Sequence, residues 1–108
     1  MYKMKPDNLN KLKRISETVR QLSAGAQKEE RAHLQSYKTY YGSQYNLIQP
    51  IFDDTDDYKS EFQTLRNPEE LSYSEIKPAL INMSSFIDTV VRQETLGNRQ
   101  QEATFFKE

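Results

Sequence analysis

Two apolar stripes at helical spacing constrain this chain more than any other feature. Leu12, Ile15, Val19, Leu22 and Ala26 recur at steps of three and four; Leu80, Met83, Ile87, Val90 and Val91 form a second such set near the other end. This spacing keeps the side chains on one side of an α-helix, whereas a strand alternates at two. Each stripe must be covered by apolar surface. The economical solution is for the two to pack against each other, inside one chain or across a dimer. The expected fold class is therefore all-α: a small helical bundle of two long helices, with one or two short helices between them and coiled-coil-like packing. Strand-type alternation is missing from the sequence.

The apolar supply is thin. Leu, Ile, Val and Phe provide 23 of 108 residues, while the net charge is only −1. The first figure approaches the composition of disordered chains, but the second does not. Seven tyrosines add further area to bury. These numbers predict one folded helical domain over residues 1–108 with a narrow core, residues 98–108 being a candidate flexible tail. A narrow core also raises the expectation of a partner that completes it.

Punctuation divides the chain. Pro6 and Asp7 open a helix expected to run from about 7 to 41. Gly25 inside it marks a close approach or a break. Past Ala26 the apolar register shifts to Glu30, Leu34, Tyr37 and Tyr41, as an insertion of four residues in the heptad phase would produce. Gly42 is expected to end or hinge that helix. Pro50 leaves Tyr45–Ile51 as either a short helix or an apolar loop. "DDTDDYKSEFQTL" reads as a helix capped by Asp54 or Thr55, with Tyr58, Phe62 and Leu65 as its stripe. Asn67-Pro68 has the form of a cap followed by a first helical residue, and Ser72 with Glu75 fits a capping box. Pro78 puts the start of the last helix near Lys77, and Gly97 is its expected stop.

The residue types of most catalytic sites are scarce. Cysteine is absent, His33 is the only histidine, and the glycines at 25, 42 and 97 are too scattered for a phosphate-binding loop. Glu30-x-x-His33 has the spacing of a carboxylate-bridged di-iron helix, but a second copy of the motif would be required. "DDTDD" fails the calcium-loop pattern, which needs glycine at its sixth place and glutamate at its twelfth. We expect no enzymatic activity, no cofactor and no metal. The start lacks the apolar core of a secretory signal and no window is long enough to span a bilayer, so a cytoplasmic protein without membrane contact is expected.

Charge is unevenly placed. Residues 1–42 hold nine Lys/Arg against four Asp/Glu, and residues 43–108 hold six against twelve. Three functional readings follow. In the first, the chain is a non-catalytic interaction or assembly protein, structural or adaptor in role. Its partner is another protein or a second copy, giving a homo-oligomer. The interface would draw on Leu12, Ile15, Val19, Leu22, Leu80, Met83, Ile87 and Val90, on Tyr37 and Tyr41 from the tyrosine-rich run, and on Phe105 and Phe106. In the second, the basic first helix binds nucleic acid through Lys11, Lys13, Arg14 and Arg20, although a sequence pI near 5.9 argues against it. In the third, the acidic half makes the chain a small inhibitor of another protein. The Asn-, Gln-, Tyr- and Lys-rich composition suits a phage or mobile-element protein of a low-GC bacterium.

Tyr40-Tyr41-Gly42 resembles the central aromatic-x-Gly turn of the small helical-hairpin substrates of type VII secretion, with Tyr in place of the usual Trp. Pro50, Pro68 and Pro78 interrupt the second arm, where those proteins have one long helix, and the chain is not assigned to that family.

Overall fold

The computed structural model describes residues 4–30, 33–53 and 58–107, with side chains as far as Leu96. It is an all-α bundle: α1 (Pro6–Gln27), α2 (Gln35–Asp53), a single turn α3 (Lys59–Phe62), two 3₁₀ turns at Pro68–Glu70 and Tyr73–Glu75, and α4 (Ile76–Lys107). No strand occurs among the described residues.

The two long helices α1 and α4 mate within one chain. They run antiparallel: Ser16 donates to Asp88, and Gln27 Nε2 donates to the Lys77 carbonyl at 3.3 Å. On α1 the buried line is Leu9, Leu12, Ser16, Val19, Ser23 and Ala26; on α4 it is Ile76, Leu80, Met83, Ile87, Val90 and Glu94. Both alternate steps of three and four, the spacing that keeps side chains in an interhelical seam. The α1 line differs from the expected one by a small rotation. Ser16 and Ser23 sit in the seam, while Ile15 and Leu22 flank it, half-buried. Two serines in a seam shrink the apolar contact and let the backbones come close.

The expected continuous helix over about 7 to 41 is broken. Helix α1 closes at Gln27 with short i→i+3 bonds, Lys28 N–H to Gly25 and Glu29 N–H to Ala26. The chain then reverses, and α2 runs back along α1. The register shift after Ala26 is the cause. One straight helix would turn Leu34, Tyr37 and Tyr41 away from the α1 stripe, whereas a reversal brings both stripes to one core. No glycine or proline marks the reversal, and no described residue has positive φ.

Gly25 lies one turn before that reversal and is a close approach. A Cβ built on it would stand 2.8 Å from the Tyr37 hydroxyl. Gly42 is neither stop nor hinge: α2 passes through it. A Cβ there would make ordinary contact with Pro68, 3.5 Å away. Helix α2 also passes through Pro50. The amide that proline lacks would have met the Asn46 carbonyl, on an exposed residue where water can replace it. The helix expected from "DDTDDYKSEFQTL" is a single turn, although Tyr58, Phe62 and Leu65 are all buried as its stripe requires. Its proposed caps, Asp54 and Thr55, lie outside the described residues.

The caps farther on form as expected. Asn67 Oδ1 accepts the Glu69 amide at 3.0 Å, and the Glu75 carboxylate accepts the amide and hydroxyl of Ser72 at 3.2 and 2.7 Å. Those bonds hold the Glu75 carboxyl below the usual carboxylate range. Helix α4 begins at Ile76, one residue before the expected start. It continues through Gly97, the expected stop, to Lys107.

Candidate functional site

Most residues expected at a partner interface are this chain's own core. Leu12, Val19, Tyr41, Leu80, Met83, Ile87 and Val90 are fully buried, and Ile15, Leu22 and Tyr37 pack half-buried against them. The tyrosine run divides by helical phase. Tyr37, Tyr41 and Tyr45 face inward at steps of four. Tyr41 donates to the Arg66 carbonyl at 2.6 Å, and the Tyr45 ring packs tilted against Phe62 with centroids 5.1 Å apart. Tyr40, one position out of phase, is 46% exposed. The side chains of Phe105 and Phe106 lie outside those described.

What the core leaves uncovered is an apolar groove between α1 and α2. It holds about 440 Å³ and is lined by Asn8, Lys11, Arg14, Ile15, Leu47, Pro50 and Ile51. Antiparallel packing creates it. Ile15 flanks the seam instead of entering it, and Leu47 stands just off the buried line of α2, so each presents an apolar edge to the same furrow. Leu47 is 55% exposed, the most exposed large apolar side chain among the described residues. Pro50 adds a rigid ring. On the α1 side the rim is cationic: Lys11 and Arg14 are exposed and make no ion pair with another described residue. Arg20 and Arg66 instead pair with Asp88 and Glu75, at 3.2 and 2.8 Å.

The surface beside the groove has an unusual composition. From Gln35 to Phe52 only Lys38 is charged, and its ammonium lies over the Tyr73 ring, 6.0 Å from the centroid. The exposed positions of α2 before Asp53 are Gln, Ser, Thr, Tyr, Asn, Leu and Pro. Depletion of charge with aromatic and aliphatic exposure is how the core of a protein–protein interface differs from ordinary surface. The exposed positions of α4 from Pro78 to Thr89 are uncharged as well, but the furrow there is lined by Asp88, Arg92 and small polar residues, with Ile81 as its one large apolar side chain.

The four cations named for nucleic acid do not form one patch. Lys11 and Arg14 face the α2 side. Lys13 and Arg20 line the opposite furrow with Glu17, Asp88 and Arg92, and Arg20 is committed to Asp88 there. Glu30 and His33 are both exposed on the reversal. Among the described residues no three His, Asp or Glu side chains come together as a metal site, and no helix is long and apolar enough to cross a membrane.

Leu47, Pro50 and Ile51 are not legible as a site in the sequence, because Pro50 leaves their segment open between a short helix and an apolar loop. The signal was present as the long run without charge. In comparison with known proteins, no family model, no curated protein and no solved structure matches this chain.

Proposed function

We propose that the protein is a non-catalytic interaction module, an adaptor or assembly protein that binds another protein through the groove between α1 and α2 and the uncharged face of α2 beside it. The observation that carries this reading is the exposed Leu47 over a furrow floored by Ile15, Pro50 and Ile51. Exposed apolar area of this kind, next to a helix face without charge, loses water favourably when a partner covers it. The seams of α1 and α4 are already spent on each other, so the partner is met by a different surface from the one the stripes first suggest.

The test compares the full chain with its Leu47→Asp variant as baits in extract from the source organism, with quantitative mass spectrometry. Because Leu47 is exposed, the variant keeps its helical circular dichroism and melting temperature. The expected result is a protein retained by the wild type and lost with Leu47→Asp. Identical retention by both baits would sink the reading.

A further inference from the structure

Resting on that reading, we infer that the groove takes an acidic amphipathic helix of another protein, with bulky apolar side chains along one face and carboxylates a turn away from them. The argument is complementarity of shape and charge. The furrow is open along the helices and bounded by two antiparallel rods, a shape that suits a third rod laid between them. Its apolar lining, Ile15, Leu47, Pro50 and Ile51, accepts apolar anchors. Its charged lining is of one sign, Lys11 and Arg14, with neither cation engaged by a described acid. They stand three residues apart on α1 and so project from neighbouring turns of one face. Carboxylates spaced by one turn on the incoming helix can meet both, while the apolar stripe between them reaches the floor. An incoming basic segment would meet like charge there, and the opposite, α2 side supplies none to offset it. A second copy of this chain is a poorer occupant: a symmetric pairing through this face brings Lys11 and Arg14 toward their own copies.

The experiment selects binders from a displayed library of random peptides against the intact chain, then measures the enriched peptides by fluorescence anisotropy. Sequences with Leu, Ile or Phe at helical spacing and an excess of Asp and Glu are expected. Their affinity should fall about tenfold or more with Lys11→Glu/Arg14→Glu and be lost with Leu47→Asp. Enriched peptides that are neutral or basic, or that bind the double variant equally well, overturn the acidic occupant while leaving the groove as the binding surface. Peptides indifferent to Leu47→Asp overturn the groove itself, and an empty selection overturns the inference. Sedimentation of the unliganded chain covers the second copy: association that Leu47→Asp abolishes would overturn the inference in favour of self-assembly. Displacement of the acidic peptides by a single-stranded oligonucleotide would overturn it in favour of nucleic acid.

Discussion

Tyr41 carries more of the fold than its place in a tyrosine-rich run suggests. Its ring is fully buried and its hydroxyl ties α2 to the connector before α4, donating to the Arg66 carbonyl at 2.6 Å. Burial pushes the phenol well above the ordinary tyrosine range; Tyr45 adds to the shift and Arg66 opposes it. Replacing Tyr41 by Phe keeps the ring and strands the carbonyl, at a cost of about 1–2 kcal/mol in urea denaturation at neutral pH. The pH dependence has a definite sign. The folded phenol is harder to ionise than the unfolded one, so its contribution is complete below about pH 10 and is lost as pH rises past that value. The stability advantage of the wild type over Tyr41→Phe should therefore narrow between about pH 9 and 11. A constant difference across that range would contradict the buried, neutral phenol.

At the scale of elements, the sequence disclosed what periodicity controls and concealed what tertiary packing decides. The stripes of α1 and α4 were readable as helical because steps of three and four keep side chains on one side of a helix, although the seam of α1 is rotated to take in Ser16 and Ser23. The caps at Asn67 and Ser72 were readable because their chemistry is local. The break after Gln27 was not, since its cause is the clash between two stripe phases and no glycine or proline stands between Lys28 and Leu34 to announce it. Gly42 misled, and Pro50 left helix and loop open, for the converse reason: local preference argues for interruption, while burial of Tyr41, Ile48, Ile51 and Phe52 along one side keeps the helix going. The groove stayed hidden for that reason, because it exists only if α2 is helical through Pro50. Restoring the missing backbone bond with Pro50→Ala should then stabilise the protein by about 1–3 kcal/mol in urea. The same change removes a ring from the groove floor and should weaken whatever peptide binds there, a trade of stability against binding. A destabilised Pro50→Ala protein would mean that α2 is interrupted at that point.

The whole molecule is long and thin, 59 × 25 × 18 Å, with a radius of gyration of 15.5 Å against about 13 Å for a compact chain of this length. Such a shape has little interior, and its helices must share what there is. They share a single cluster: Leu12 and Val19 from α1, Tyr41, Ile48 and Phe52 from α2, and Met83 and Ile87 from α4 all belong to it. Aromatic rings extend the cluster from α2 to both α3 and α4, with Phe52 5.5 Å from Phe62 and 4.9 Å from Phe86 between centroids. One cluster implies one cooperative transition. The protein supplies two separable reporters of this. Far-ultraviolet circular dichroism is dominated by α1 and α4, the longest helices, whereas four of the seven tyrosines lie on α2. If α2 were merely laid on an independent α1–α4 pair, near-ultraviolet tyrosine signals would fade before helicity. The shared core requires the two curves to coincide. Truncating Ile87, fully buried in the α1–α4 seam, to Ala should cost about 2–4 kcal/mol and move both curves together. If that substitution shifts the helical signal and leaves the tyrosine signal behind, α2 has a stability of its own, and the groove it forms with α1 can open without unfolding the pair beneath it.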